Sequence, residues 1–506
     1  LFVKIGVLEE MRMTLMKLLA IDLGASSGRV MQAIYNGHSI QLSEVHRFKN
    51  EPMNVNDGLY WNILHLFGEI KIGIKKASAD GIHIRSISVD TWGVDYAYLD
   101  QNGDLLYQPH CYRDNRMGQY EETFYKKISK EALFEETGVQ PACINTVLQI
   151  FADLQEKPHL ARVAERVLFM PDLINYLLSG VLSSEYTIAS SSGLLNINSQ
   201  TWSDSVFETL GIPKKWFGEV IQGGKVLRSL SPRITQELKI EPFDVIAGAG
   251  HDTAAAVLAI PYASEQPTAF ISCGTWSLVG LESQNPVTSQ SALEANLTNE
   301  GCFDGRYRIL KNTTGLWIIQ ELQRDWRLQG EDISFAEMVN LARNVTNNRS
   351  WINPNDPIFA APGDMEAKVK ERCHMTNQPV PQSKGEVVRV ILESLAFAYR
   401  QTVEQIESLT GQKIEQIHMV GGGIQNELLC QLTADVSQKP VLTGPIEASA
   451  LGNILAQLLT LGEIQDRQTA QKLIKDSEKT KQYQPQEGSD LARSYQEFQA
   501  RMKVGS

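Results

Sequence analysis

The chain twice repeats one local pattern: an apolar run, a tight turn of glycine and hydroxyl residues, then a second apolar run. The first copy is Leu18-Leu19-Ala20-Ile21, then Asp22-Leu23-Gly24-Ala25-Ser26-Ser27-Gly28, then Arg29-Val30-Met31-Gln32-Ala33-Ile34-Tyr35. The second is Phe270-Ile271-Ser272-Cys273, then Gly274-Thr275, then Trp276-Ser277-Leu278-Val279-Gly280. Short apolar runs bounded by turn residues read as strands. Small residues in such a turn let the backbone approach an anion and aim N–H groups at it. Two such hairpins in one chain predict two related domains, each contributing one phosphate-facing turn.

The chain length of 506 residues exceeds what one hydrophobic core usually serves and agrees with two domains. We divide the chain into an extension at 1–16, a first domain at 17–260, a second at 261–463 and a helical C-terminal segment at 464–506. Within the first domain the pattern predicts a helix over 60–79 and a strand from Ile84 to Val89, leading into Asp90-Thr91-Trp92-Gly93-Val94-Asp95. The alternating Tyr96-Ala97-Tyr98-Leu99 meets the turn Asp100-Gln101-Asn102-Gly103, which predicts a hairpin. Helices dominate 116–180. Later, Glu386 to Leu409 reads as a long helix. Lys413 to Val420 reads as a strand ending in Gly421-Gly422-Gly423, followed by a helix from Glu427 to Ser437 and a strand from Pro440 to Thr443. Strands alternating with helices give the α/β class.

Net charge is −12, with Lys and Arg spread along the chain in no consecutive run longer than two. That distribution argues against nucleic acid or an anionic membrane as partner. ATP remains compatible, because a few backbone amides and one metal ion can hold phosphates locally. Apolar segments are broken by charge or glycine well short of a membrane span. The first residues carry Glu9-Glu10 and no small-residue cleavage site, so they do not read as a signal peptide. Cys111, Cys143, Cys273, Cys302, Cys373 and Cys430 are widely spread without a C-x-x-C pair, which reads as reduced thiols in a cytoplasmic protein.

Five segments carry chemistry, and each has a plainer structural alternative. An Asp22 carboxylate beside a phosphate would repel it without a cation between them, so the first turn implies Mg²⁺, bound directly or through water. The alternative is a hairpin in which Asp22 bonds its own turn. No G-K-[ST] follows, so this is not a Walker A loop. Gly274-Thr275 repeats the motif more weakly. Gly421-Gly422-Gly423 would let a flat ring lie on bare backbone beside a helix N-terminus, or would permit close strand–helix packing. In Ala247-Gly248-Ala249-Gly250-His251-Asp252-Thr253-Ala254-Ala255-Ala256 a carboxylate opens an Ala-rich helix. Asp252 there is either a proton acceptor with room for substrate or the helix cap; His251 is its hydrogen-bonded neighbour. Trp92 beside Gly93, Asp90 and Asp95 suits a sugar, with an apolar ring face and polar hydroxyls, or is a core indole. Arg113-Asp114 and Glu185-Tyr186-Thr187 are further candidates for the same surroundings.

The order of these segments resembles that of the FGGY carbohydrate kinases, within the actin/hexokinase/Hsp70-like superfamily. The resemblance covers about 17–485 and is carried by Ala20 to Met31, Asp90 to Asp95, Tyr112-Arg113-Asp114, Met170-Pro171-Asp172, His251-Asp252-Thr253, Gly274 to Leu278, Thr298-Asn299-Glu300-Gly301, Gly305 to Arg308, Val420 to Gly423 and Gly444 to Ser449. The A-S-S-G-R turn and the D-T-W-G-V-D segment are similar to the rhamnulose-phosphorylating branch. Thr313-Thr314 departs from the family pattern, and the N-terminal extension has no counterpart.

The resemblance implies two ribonuclease-H-like domains facing a cleft that closes when sugar binds. It implies ATP contacts at Ala25, Ser26, Ser27, Gly28, Arg29, Thr275, Gln320 and Gly422. Sugar contacts are implied at Gly93, His251, Asp252, Thr253 and Asn312, with Asp252 as proton acceptor. The implied reaction is ATP plus L-rhamnulose giving L-rhamnulose 1-phosphate and ADP, with Mg²⁺ near Asp22, in a cytoplasmic monomer or small homo-oligomer. A kinase for another ketose or polyol, and a nucleotide-gated binding protein without catalysis, are the competing readings.

Overall fold

Residues 15–262, 266–486 and 491–502 are described by a computed structural model of the chain. Most of the extension expected at 1–16 lies outside them, and Met16 is already the first residue of β1 (Met16–Leu23). Seven of the eight β1 residues are buried, as befits a strand covered on both faces. β2 (Ser27–Tyr35) returns antiparallel to it, with Met16 opposite Tyr35 and Leu23 opposite Gly28, and β3 (Ile40–Lys49) continues the meander.

A parallel neighbour needs a crossover, and α1 (Ile63–Ala77) supplies it. The helix starts at Asn62, whose Oδ1 accepts the His65 N–H at 3.1 Å, and buries Leu66, Ile70 and Ile74. Gly73 brings it down onto the sheet, because a Cβ there would stand 2.3 Å from Val30 Cγ2. β4 (Ile84–Thr91) then pairs parallel with β1. β5 (Lys225–Ser229) and β6 (Asp244–Ala247) complete a six-stranded sheet of order β5-β6-β4-β1-β2-β3, in which β6 is parallel to β4.

The contacts of the chain fall into two compact units. The first runs to Pro261 and takes in Glu282–Ile309 and Ala448–Glu478; the second holds Tyr262–Leu281, Leu310–Glu447 and the residues from Lys479 on. The chain therefore returns to the first unit twice after Pro261. Its late helix Ala448–Thr460 is pinned to the first sheet by Gln457, whose Nε2 donates to Leu19 O at 2.9 Å and whose Oε1 accepts from Ser86 Oγ at 2.6 Å.

The second unit repeats the first sheet's plan. β7 (Thr268–Cys273) and β8 (Trp276–Ser283) form the second glycine-turn hairpin, with β9 (Tyr307–Thr314) beside β8. β10 (Gln416–Val420) and β11 (Val441–Thr443) follow in parallel from β7, and β12 (Lys481–Tyr483) closes the edge antiparallel. From β8 to β12 the order β8-β7-β10-β11-β12 matches β2-β1-β4-β6-β5 in sense. The long helix Lys384–Thr410 opens with a reciprocal cap between Ser383 and Glu386 and ends at Gly411 in the left-handed conformation.

Two sequence expectations are corrected. Tyr96–Leu99 pairs antiparallel with Arg166–Phe169, not with the chain after Asp100. The Asp100 turn does form, its Oδ1 accepting from Asn102 N and Asp104 N, but only a single bridge, Leu99 to Leu105, follows it. Val167-Leu168-Phe169 offers a longer run of buried apolar partners. The C-terminal segment is not helical throughout. Between the helices Arg467–Ser477 and Leu491–Met502, Lys481–Tyr483 joins the open edge of β11, where main-chain pairing overrides a polar composition.

In the first unit, Ala448–Thr460 packs on α2 (Asp252–Leu258) so closely that a Cβ on Gly452 would lie 1.7 Å from Ala255 O. Ala has the better helix propensity by about 1 kcal/mol. Gly452→Ala is nevertheless expected to destabilise the fold by about 3 kcal/mol, the upper part of the overpacking range, because the obstacle is backbone. Urea unfolding of wild type and variant measures the difference; equal or higher stability would contradict this packing.

Candidate active site

Two of the three parallel strands at the centre of the first sheet end in acidic residues, and the third leads through a glycine turn to another. β1 ends at Asp22-Leu23 and β4 at Asp90-Thr91, with Asp22 directly paired to Asp90 in the ladder. β6 leads into Gly248-Ala249-Gly250 and then His251-Asp252, and Thr91 N donates to Gly250 O at 2.9 Å. The carboxyl ends of parallel strands are where α/β sheets bind ligands.

Asp22 is not left to a metal alone. Arg29, its cross-strand partner on β2, forms a direct ion pair with it. Asp90 is fully buried; its Oδ2 accepts from Asn453 Nδ2 at 2.7 Å, while Oδ1 has no partner. Burial and the Asp22 charge push its carboxyl well above the usual range; the Asn453 bond works against this, and Asp252 adds to the rise. Sequence reasoning quoted Asp90 only as part of a sugar-facing segment. Its partner comes from a distant helix, and nothing in the order of residues signals that pairing.

The turn before Asp252 is built by Glu185. Its Oε2 accepts from Gly250 N at 3.0 Å, and Thr187 Oγ1, itself bonded to Glu185, accepts from His251 N at 3.1 Å. A Cβ on Gly250 would meet Glu185 Oε2 at 2.8 Å. The cap of α2 is His251, not Asp252: its Nδ1 accepts from Thr253 N at 3.1 Å. Asp252 is thus free of the capping role. Its side chain is 31% exposed, and its Oδ1 lies 3.0 Å from His251 Nδ1 and 3.0 Å from Thr253 Oγ1. Burial pushes its carboxyl up, but the bond to His251, the His251 charge and the Thr253 contacts outweigh it and hold Asp252 below the usual range. It stays ionised throughout neutral pH.

Gly93 adjoins the same residues. A Cβ there would stand 3.0 Å from His251 Nε2 and 3.3 Å from Ser191 Oγ. The next residue, Val94, is held at φ 69°, a costly conformation for a β-branched side chain; Thr146 Oγ1 donates to its carbonyl at 2.7 Å. Trp92 is the core indole of the two readings, buried, with Nε1 donating to Asp95 Oδ2 at 2.9 Å, where Trp61 Nε1 also donates at 2.6 Å. Arg113-Asp114 supplies a structural Asp114, which accepts from Leu59 N and Arg116 N.

In the second unit, Thr275 and Gln320 meet directly, Oγ1 to Oε1 at 3.2 Å. Their loops are locked together, since Gly315 N and Trp317 N both donate to Thr275 O. The triple glycine divides its duties. Cβ atoms on Gly421 and Gly423 would press on Cys273, at 3.0 Å from its O and 2.3 Å from its Sγ. Gly422 is exposed with nothing near its Cβ direction. Packing thus explains the outer two glycines, and an open face explains the middle one. Asn312 is an exposed residue of β9 in this unit, whereas Gly93, His251, Asp252 and Thr253 belong to the first. All six cysteines are unbridged, and Cys143 is the one that is not buried. Among the described residues no cluster of three His, Cys, Asp or Glu side chains is arranged to hold a metal, and no helix is long and apolar enough to cross a membrane.

Comparison with known proteins agrees over nearly the whole chain. Residues 17–259 match the N-terminal domain, and 269–461 the C-terminal domain, of the FGGY family of carbohydrate kinases. A rhamnulokinase of Bacteroides thetaiotaomicron is 38% identical over 479 residues, covering 95% of this chain and 98% of that protein. The fold is that of a gluconate kinase from Lactobacillus acidophilus (TM-score 0.79, 16% identity, 97% of each chain). It is also that of a Plasmodium falciparum glycerol kinase with ADP (TM-score 0.77, 15% identity, 97% of each chain).

Behind the Gly250 turn, Asp172 is fully buried and accepts from Ser183 Oγ at 2.8 Å and from Glu185 N at 3.2 Å. Burial raises it to about 8, with the Ser183 bond opposing and the Glu185 charge adding. Its folded pKa lies above the unfolded value of about 3.9. The folded state then binds this proton more tightly, and the stability it contributes is full below about pH 4 and lost as pH rises to about 8. Asp172→Asn cannot titrate, so its melting temperature should fall less than that of wild type between pH 5 and pH 8. Parallel melting curves across that range check it; identical slopes would mean that Asp172 does not hold the proton.

Proposed function

Because this chain belongs to the FGGY family of carbohydrate kinases, we propose that it moves the γ-phosphate of ATP onto L-rhamnulose, giving L-rhamnulose 1-phosphate and ADP, with Asp252 as proton acceptor. One observation carries the catalytic part: Asp252 is partly open and ionised, and the helix cap it could have been is His251. The rhamnulokinase similar over 95% of the chain supports the sugar.

Asp252 orients the attacking hydroxyl by accepting its hydrogen bond. A carboxylate of ordinary pKa near 3.9 is a weak base, so the proton moves late, once the bond to phosphorus is forming. That timing suits a loose phosphoryl transition state, where positioning and charge stabilisation dominate. Gly93, His251, Thr253 and Asn312 are assigned to the sugar. The turn Ala25-Ser26-Ser27-Gly28-Arg29 is assigned to phosphates, and Thr275, Gln320 and Gly422 to the nucleotide.

Mg²⁺ fits the residues present. Asp22 and the unpartnered Oδ1 of Asp90 are adjacent, and like-charge pressure on Asp90 is what a divalent ion relieves. Asp22, with Asp90 beside it, would hold the ion through water, and the ion when bound would neutralise phosphate charge. With no three-ligand cluster here, phosphate oxygens would complete its shell. ATP as co-substrate supports a cytoplasmic site of action.

Two substitutions test the assignments. Gly422→Val would put a side chain on the open face proposed for adenine. It should raise the KM for ATP about tenfold or more, roughly 1.4 kcal/mol of binding lost to the intruding side chain, while moving the sugar KM little. A change confined to the sugar KM would move the nucleotide elsewhere. Asp252→Asn keeps size but cannot take a proton at neutral pH, and removal of a general base costs about 10²–10⁴ in rate. Single-turnover phosphate transfer at saturating substrates, with a melting curve as control, measures it. A well-folded variant retaining a third of the rate would refute the role of Asp252.

A further inference from the structure

His251 stands between two carboxylates. On one side its Nδ1 is 3.0 Å from Asp252 Oδ1 and 3.1 Å from Thr253 N. On the other its Nε2 is 3.7 Å from Glu300 Oε2. Glu300 is itself held by Arg308, which is fully buried and donates from Nη2 to that same Oε2 at 2.8 Å. The Thr298–Gly301 strand that carries Glu300 is fixed on both sides. Asn299 Nδ2 donates to Gly138 O and Val287 O, both at 2.9 Å, and Gly301 N donates to Ser190 Oγ at 2.7 Å. The charged groups around the ring are therefore Asp252, Glu300 with Arg308 behind it, and Glu185, which holds the preceding Gly250 N.

One nitrogen cannot accept from Thr253 N–H and donate to Asp252 at the same time. In the neutral ring Nδ1 accepts from Thr253 and the hydrogen sits on Nε2, facing Glu300. In the protonated ring Nε2 keeps that hydrogen and Nδ1–H turns to Asp252. Glu300 favours Nε2–H in both states, so the ring exchanges its proton at Nδ1, directly against Asp252. Which nitrogen of a histidine titrates is set in this way by what the other one meets.

We propose that His251 is a proton relay for Asp252 and that Glu300, anchored by Arg308, is the positioning residue that makes it one. The inference rests on Asp252 being the first acceptor. The sugar oxygen bonds to the γ-phosphorus as the bond from that phosphorus to the ADP oxygen breaks and ADP leaves with its electron pair; the O–H electron pair stays on the sugar oxygen and the proton passes to Asp252 Oδ1. The Asp252 O–H bond then breaks as His251 Nδ1–H forms, and Thr253 N–H loses its acceptor. Asp252 ends as carboxylate, His251 as imidazolium between two carboxylates, and the ring returns the proton to water after product leaves.

The test is a double-mutant cycle of Glu300→Gln and His251→Asn. Asn caps a helix well, so His251→Asn keeps the fold but cannot carry the proton. Each single variant should lower kcat about 10- to 100-fold, the size of coupling within one network, with the ATP KM near wild type; Glu300→Gln also leaves the buried Arg308 without its counter-charge and melts lower, so rates are compared at a temperature where circular dichroism shows every variant folded. The double variant should be no slower than His251→Asn alone. The pH dependence of kcat should differ between wild type and Glu300→Gln, and be the same in His251→Asn and the double variant. Additive losses in the double variant, or a pH dependence unchanged in Glu300→Gln, overturn the relay even where Asp252→Asn is inactive. A well-folded His251→Asn with normal kcat overturns it as well.

Discussion

The backbone ladder joining β1, β4 and β6 is the constraint on which the site depends. Its register sets Asp22 beside Asp90, and the Thr91–Gly250 bond ties the end of β4 to the turn that presents Asp252. A slip of one residue in a strand would send every side chain to the opposite face and scatter these carboxylates. Residues widely separated in the chain become neighbours because parallel strands all end on the same edge. Gln457 bonds both β1 and β4 and fixes the covering helix against that register.

That edge concentrates negative charge, and the surrounding groups divide it. Arg29 neutralises Asp22, Asn453 steadies Asp90 through one oxygen, and His251 keeps Asp252 ionised. The three carboxyls consequently differ although their chemistry is the same: Asp90 is pushed up by burial and like charge, and Asp252 is held down by its partners. Pairs of acids whose environments drive their pKa values apart mark sites that handle protons and phosphates.

The two sheets share one plan and use it differently. In the first unit β1 and β4 end in acids; in the second β7 and β10 end in Cys273 and Val420, and the turns beyond them are Gly274-Thr275 and Gly421-Gly422-Gly423. Glycine at the end of β10 serves packing at Gly421 and Gly423 and openness at Gly422. Acids suit an edge that handles a proton, and bare backbone suits one that holds a ring or a phosphate.

The α/β class, both glycine-turn hairpins and the long helix near 386–409 were legible in the residues, because turn chemistry and apolar periodicity are local. The small neighbours of Asp252 made it a candidate, and the family resemblance, not the local pattern, assigned it the proton. The sequence left open whether it capped α2, since Asp and His at adjacent positions can each take that place; folding decided for His251 through the path of the Gly250 turn. The pairing of Tyr96–Leu99 with Arg166–Phe169 and the addition of Lys481–Tyr483 to an open edge depended on which distant strand was available, which no local pattern encodes. The partners that tune the site, Asn453 on Asp90 and Glu300 with Arg308 on His251, are likewise tertiary. The sequence by itself determined which groups can do the chemistry, since that is a property of side chains. Their charge states were decided only by the fold, because burial and neighbouring charge act through space.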